Sequence, residues 1–251
     1  MENKEKEILA AGEAAGNNSK IVLKTSYVEE MERLSAHELI SAQRAELAGL
    51  KGEIRAKERR NATLSIVQKV GALADRFSAG SIVMNKETVL SLGDTPVEFT
   101  VLVARKFYQE KVAYNSGVRP RIFSTEEDVL AAGGTLDWEN GVAPTYETVL
   151  HCTVLLKQPD GVEGGFTLTY EGAQYALCEY YMRGTAFKNA GLTILNAIWQ
   201  LSRSGQSFTS LKWELTTRRM TVGLNKVITP AVNIAGRHSN EFTAFASTLL
   251  N

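Results

Sequence analysis

The stretch Thr145–Gln158, TYETVLHCTVLLKQ, and the residues that follow it decide the fold. Its apolar residues are concentrated in 149–156, which predicts a largely buried strand. Pro159-Asp160-Gly161 is a strong turn signal, because proline fixes φ and Asp and Gly accept the conformations that follow. Phe166–Tyr170 then alternates as a half-buried strand does. A strand, a tight turn and a second strand are therefore predicted here.

The hydrophobic period changes after this second strand. Over residues 172–203 apolar side chains recur at helical spacing and no proline intervenes, which predicts a long helix. Gly184 weakens its middle, so the helix can break there into two pieces. The remaining predicted elements are two β runs and a short terminal helix: 208–221, 222–235 and 239–249.

Upstream of this region, Thr95–Tyr108 is the clearest strand of the chain, with both faces apolar in its middle. A shorter run follows at 118–123, and residues 124–146 are irregular and acidic. Antiparallel strands with a helix before the last pair describe an OB-type barrel. We therefore predict an α+β fold, mainly antiparallel β, with an OB-like barrel over residues 82–251. A generic α+β sandwich explains the same pattern less specifically.

The N-terminal third has a different composition. Residues 1–26 bury little and are predicted to be a disordered tail. Residues 27–60 predict a long charged helix, and 61–77 continue as an amphipathic segment, so that 27–80 form a helical extension ending in a linker. This helix either forms a short coiled coil or lies on the globular domain. Its apolar stripe consists of Ile40, Leu47, Leu50 and Ile54.

Composition places the chain among ordinary globular proteins. Hydrophobic residues make up 44% and charged residues 22%, and no apolar run approaches the roughly 20 residues of a membrane span. No signal-peptide core is present, which predicts a cytoplasmic protein. The two cysteines, Cys152 and Cys178, are predicted to be buried free thiols. The three histidines lack metal-ligand spacing, so no metal or cofactor is expected.

The charge is zero overall but unevenly distributed. Residues 82–175 hold seven basic and thirteen acidic side chains, whereas residues 176–251 hold eight basic and three acidic ones. Such asymmetry is typical of a protein with an anionic partner, and it also arises when two parts of one domain neutralise each other. Both interpretations remain open from the sequence.

Catalytic motifs are missing from the sequence. It contains no phosphate-binding G-x-x-x-x-G-K-[ST], no G-x-S-x-G, no His-Glu-x-x-His and no G-x-G-x-x-G. The acidic run Glu126–Asp128 is typical of a solvent-facing loop, and a two-metal nuclease needs carboxylates from several strand ends. We therefore expect that the protein is not an enzyme.

A nucleic-acid-binding interpretation has more support. Single-stranded nucleic acid is bound by cationic grooves that follow the phosphates and by aromatic rings that stack on bases. The β runs interleave these residue types, while Trp199 and Trp213 are expected in the core. The candidate phosphate contacts are Arg105, Lys106, Arg119, Arg121, Lys212, Arg218 and Lys226, and the candidate stacking residues are Tyr108 and Trp138.

Four stretches carry a resemblance to a known group of proteins. They are 103–108 (VARKFY), the strand before Gln158, 165–170 (GFTLTY) with 184–190 (GTAFKNA), and 208–219 followed by Asn225-Lys226. Through them the chain from about residue 83 to residue 250 resembles phage-encoded single-stranded-DNA-binding proteins that are found beside recombination genes. The resemblance implies an OB-type fold, no enzymatic activity, a setting in DNA replication or recombination and, if the protein is phage-encoded, a location in the host cytoplasm. Relatives often carry cysteines in the middle loop, whereas this chain has none between residues 109 and 151.

The sequence thus favours non-enzymatic, sequence-tolerant binding of single-stranded DNA. One alternative is a structural or adaptor protein that forms homo-oligomers through residues 27–60. A second alternative is a recombinase that anneals single strands, because such proteins share a helical N-terminus and a β core.

Overall fold

The computed structural model describes residues 61–113 and 116–249. The predicted tail, the helix 27–60 and its apolar stripe lie outside the described residues, as does the oligomer interface assigned to them. In the described part the fold is mixed α+β, mostly strands, in a strongly curled half-barrel sheet with few helices. The predicted α+β class is therefore confirmed.

Ten strands form one sheet within the described residues. They are β1 (Ala62–Ile66), β2 (Ile82–Met84), β3 (Thr88–Ser91), β4 (Val97–Glu110), β5 (Ile122–Phe123), β6 (Tyr146–Lys157), β7 (Leu168–Tyr170), β8 (Ala173–Arg183), β9 (Leu211–Val222) and β10 (Asn225–Arg237). The helical elements are α1 (Glu126–Ala131), α2 (Gly184–Ala186), a π-helical segment (Phe187–Gly191), α3 (Leu192–Arg203), a 3₁₀ turn (Phe208–Ser210) and α4 (Asn240–Thr248).

The strand order across the sheet is β10-β9-β4-β6-β8-β1-β2-β3, with β5 beside β4 and β7 beside β8. Described neighbours pair antiparallel, except that β1 runs parallel to β8. The mainly antiparallel arrangement predicted from the sequence is therefore found.

The curl of the sheet brings the two ends of this order together. The backbone N–H of Thr217 in β9 donates to the carbonyl of Gly93, just after β3, at 2.8 Å. The Thr217 hydroxyl donates to the carbonyl of Gly80 at 2.9 Å. Beside them, the side-chain amide of Gln68 donates to the carbonyl of Ile228 in β10 at 2.9 Å. Hydrogen bonds therefore tie the ends of the sheet to each other.

The helical stretch 184–203 packs against the inner face of the curled sheet. Its buried residues Ile194 and Leu201 join a core that includes the fully buried Trp213. Both cysteines lie on the same face as free, buried thiols, as predicted. Burial raises the pKa of each thiol to about 12.

Two segments predicted to be helical are strands. Residues 173–183 form β8, because Cys178, Tyr180 and Met182 alternate into the core. Residues 62–66 form β1, held between β8 and β2. Both were misassigned because short apolar segments fit both periods until distant partners are known. The predicted linker at 78–81 also lies inside the compact unit that includes β1.

Trp199 is a third difference from the sequence-based expectation. The residue is 59% exposed rather than buried. Its ring lies 4.9 Å from the guanidinium carbon of Arg203, one turn further along α3. The face of the helix that packs on the sheet is therefore narrower than the predicted apolar stripe.

Candidate nucleic-acid interface

A row of three side chains crosses the outer face of β4, β6 and β8. Cys152 and Tyr180 on these strands point inward to the helix, so residues one position away point outward. The strand register pairs Arg105 with His151, and His151 with Tyr181. Arg105, His151 and Tyr181 are hereafter called the outer row.

The aromatic rings of the outer row are stacked. The centroids of His151 and Tyr181 are 4.3 Å apart and the rings are inclined by 6°. Tyr181 nevertheless remains 45% exposed. Arg105 is also exposed and lies two strands away, on the other side of His151. A half-exposed ring that is supported from one side, in a row that ends in a cation, has the elements needed to stack a base and contact a phosphate.

Glu179 holds the imidazole of the outer row in place. Its Oε2 pairs with His151 Nε2 and accepts a hydrogen bond from the Thr153 hydroxyl at 3.2 Å. Its Oε1 accepts from the Asn61 amide at 2.6 Å. Burial raises the pKa of Glu179, but the hydrogen bonds from His151, Asn61 and Thr153 outweigh that effect and leave it lowered. The carboxylate therefore stays charged and fixes the ring on which Tyr181 stacks.

The residues beside the outer row carry mixed charges. Arg183, the next outward residue of β8, is exposed and lies 3.9 Å from a Glu147 carboxylate oxygen. Among the ion pairs found in residues 61–113 and 116–249, none involves Arg105. Arg105 is therefore the cation of this face whose charge is not offset by a close carboxylate in the described chain.

Several of the binding residues predicted from the sequence lie around a small second core. This core is found where the C-terminal end of β4 pairs with the N-terminal end of β6. Tyr108 belongs to this core and is 5% exposed, so the exposure expected of a stacking residue is not found. Val129 of α1 and Tyr146 of β6 pack against Tyr108 and cover its ring. Lys106 is exposed, with its ammonium 5.0 Å from the centroid of the Tyr108 ring. A base therefore has little access to Tyr108.

Arg121 is paired rather than free. Its Nη2 and Nε donate to the two carboxylate oxygens of Glu110 at 3.0 and 3.1 Å. The hydrogen bonds raise the pKa of Arg121 and lower that of Glu110. The predicted phosphate contact would have to compete with this carboxylate. Arg119 and Trp138 are exposed, the latter by 71%, as the sequence suggested.

The remaining predicted cations lie in two other places. Lys212 is 3.5 Å from Glu98 and lines a depression of about 260 Å³ beside α4. Arg218 donates to the Asn189 side chain at 2.5 Å, and Lys226 is exposed near the turn between β9 and β10. The predicted set is thus divided among four regions: the outer row, the second core, the depression beside α4 and the hairpin of β9 and β10.

Sequence reasoning missed His151, Tyr181 and Arg183. The signal was present in β8, where Glu179, Tyr181 and Arg183 alternate with the buried Cys178 and Tyr180. Interpreting this segment as a strand would have placed the polar residues together on one face.

Comparisons of the chain with protein-family models, with curated proteins and with solved structures find no match. No group of three or more potential metal ligands occurs among the described residues. Of the helices in that part of the chain, none has the length and apolar character to cross a bilayer.

Proposed function

We propose that the protein is a non-enzymatic, sequence-tolerant binder of single-stranded DNA. The observation that carries the proposal is the outer row, in which His151 supports a half-exposed Tyr181 ring on one side and pairs with the exposed Arg105 on the other. Base–aromatic stacking contributes about 1–3 kcal/mol per base and discriminates little between bases. A setting in phage replication or recombination follows from the sequence resemblance.

An OB-like barrel is part of the same proposal. A strongly curled sheet, a helix packed on its inner face and hydrogen bonds from Thr217 and Gln68 between the ends of the sheet support it. OB-type folds bind nucleic acid on an exposed sheet face and its adjoining loops. The outer row lies on such a face, and Trp138 lies in a loop after β5.

Fluorescence anisotropy with labelled poly-dT and a matched duplex, at two salt concentrations, tests the function. We expect salt-sensitive binding that favours the single strand, and weaker binding by Tyr181→Ala and Arg105→Ala. Trp199→Ala and Arg203→Ala are matched controls, because they remove an exposed aromatic ring and an exposed cation from α3, on the other side of the sheet. Failure of wild-type protein to bind either DNA at low salt would exclude the proposal.

The same preparation separates the two alternatives. Self-association through residues 27–60 predicts an oligomer by light scattering that is lost when those residues are deleted. A recombinase predicts that complementary strands anneal faster in the presence of the protein.

A further inference from the structure

The hairpin of β9 and β10 extends well beyond the sheet that supports it. β9 pairs with β4 only at residues 213–215. Thr217 then bonds to Gly93 and Gly80, and from Arg218 to Val222 the only strand that pairs with β9 in the described chain is β10. Residues 216–229 are hereafter called the hairpin arm. It is a two-stranded ribbon held to the rest of the chain at one end.

The hairpin arm is basic and lacks acidic residues. The sequence has no Asp or Glu between Glu214 and Glu241. In the register, Arg219 pairs with Ile228 and Lys226 pairs with Thr221, so the two cations are diagonal neighbours on one face. Both are exposed. Two like charges at this spacing repel each other, and an anion bound between them would offset that repulsion.

The tip of the hairpin arm is apolar. Leu224 is fully exposed and Val222 is 44% exposed, on either side of Gly223 at φ +59°. Gly223 provides the left-handed conformation that this turn requires. The chain therefore presents a large aliphatic side chain at the end of a basic ribbon.

The base of the hairpin arm is firmly anchored. Asn189, in the π-helical segment, accepts from Arg218 through Oδ1 and donates to the Thr229 hydroxyl at 3.3 Å. Gln68 bonds Ile228 on the other strand. The arm is thus fixed in direction while its tip stays in solvent, which lowers the entropic cost of binding.

We propose that the hairpin arm is a second nucleic-acid contact, which engages the duplex next to a single-stranded stretch. Arg219 and Lys226 contact phosphates, and Leu224 inserts against the last base pair. A two-stranded ribbon fits a DNA groove, and aliphatic side chains are known wedges between base steps. The absence of acidic residues along the arm favours a polyanion over a protein partner. The inference rests on the proposed function and adds recognition of a junction to it.

The test compares poly-dT with a junction that joins a duplex to a single-stranded tail, by anisotropy over a salt series. For Arg219→Ala/Lys226→Ala we expect an affinity for the junction at least about tenfold lower, and a salt slope reduced by about 1.8 for two duplex phosphates. The single variant Arg219→Ala should change the affinity for poly-dT little, because Arg219 is not among the candidate contacts for the single strand. Arg203→Ala/Lys111→Ala removes the same charge from exposed positions elsewhere and should leave the junction preference intact.

Leu224 is tested separately with 2-aminopurine in the last base pair of the junction. Wild-type protein should unstack the 2-aminopurine and so raise its fluorescence. Leu224→Gly should not raise it, even at saturating protein. All substituted positions are exposed, and thermal melting confirms that the variants fold.

The outcomes distinguish the inference from the function. If wild type binds poly-dT but both arm variants bind and unstack the junction as wild type does, the inference fails and the proposed function stands. If Arg219→Ala lowers the affinities for poly-dT and for the junction equally, or if wild type binds anionic vesicles in place of the junction, the junction contact is excluded. If wild type binds the junction through the arm but not poly-dT, the proposed function fails and the arm contact stands.

Discussion

Gly93 and Thr217 meet where the curled sheet closes. A Cβ on Gly93 would come within 2.2 Å of the Thr217 hydroxyl oxygen and 2.3 Å of the Gly80 carbonyl oxygen. Gly93 also has φ +103°, a conformation that L side chains rarely adopt. The contact between the two ends of the sheet therefore depends on the absence of a side chain at residue 93.

Gly93→Ala should destabilise the fold by about 3 kcal/mol or more, because backbone strain and a steric clash add. Gly71→Ala is the matched control, since its φ is +111° but no atom lies within 4 Å of the added Cβ. It should cost about 1 kcal/mol from strain alone. Urea unfolding of both variants measures the difference, and equal losses would contradict the importance of this contact.

Tyr181→Ala should weaken poly-dT binding by about 1–3 kcal/mol, the contribution of one stacked base. Tyr181→Phe should retain most of the affinity, because stacking needs the ring and not the hydroxyl. Trp199→Ala, which removes a more exposed ring on α3, should have no effect. Anisotropy titrations give the three affinities. Equal behaviour of Tyr181→Ala and Trp199→Ala would remove the outer row from the site.

Arg105 and Arg121 should differ in their contribution to the salt dependence of binding. Arg105→Ala should lower the slope by about 0.7, the value for one phosphate of a single strand. Arg121→Ala should change the slope less, because Glu110 already binds that guanidinium through two hydrogen bonds. Titrations over a salt series measure both slopes. A larger effect at Arg121 would show that DNA displaces Glu110.

Acid should destabilise the protein through His238. Burial, and then the nearby Lys212 ammonium, lower the pKa of His238 to about 4. The unfolded chain, with an ordinary histidine pKa near 6.5, therefore binds more protons between about pH 4 and 6.5. Stability from this group is present above pH 6.5 and is lost as the pH falls toward 4. Partial exposure and solvent screening limit the effect to about 1–2 kcal/mol.

Urea unfolding at several pH values measures that slope, and His238→Gln should reduce it. Gln can retain a hydrogen bond to Thr100, whose hydroxyl lies 2.7 Å from the His238 ring nitrogen. An unchanged pH dependence in the variant would assign the acid sensitivity to other groups.

The two thiols should be unreactive in the folded protein. Cys152 and Cys178 are fully buried, and burial raises each thiol pKa to about 12, so almost no thiolate exists near pH 8. A disulfide-exchange reagent should label neither thiol in buffer and both in denaturant. Fast labelling of native protein would show that the sheet opens around β6 and β8.

The sequence predicted best where one strand carries its own signal. β4, β6 and the turn at Pro159 were located within a few residues, and Trp213 was correctly assigned to the core. The turn is not tight, however, because the next strand, β7, begins only at Leu168 and pairs with β8. β1 and β8 were not, because each is a short apolar segment whose strand character depends on partners elsewhere in the chain, mainly β6 for β8, and β2 and the distant β8 for β1. No local pattern indicates that Ala62–Ile66 will complete a sheet.

The site was harder to predict because it depends on register. Arg105 was chosen by residue type, but its partners His151 and Tyr181 became visible only when three strands were aligned. Tyr108 was selected because polar residues follow it, whereas Val129 and Tyr146, from other elements, cover it. Exposure of a side chain is a property of the neighbours that the fold supplies.

The parallel pairing of β1 with β8 also affects how the chain folds as it is synthesised. Asn61, beside β1, donates to Glu179 of β8 across a separation of 118 residues. β2 follows β1 closely and pairs with one of its edges, but the other edge of β1 must wait unpaired until β8 has been synthesised. Folding should therefore be slow, as expected for a high-contact-order topology, and it should finish only after translation has passed β10 at Arg237.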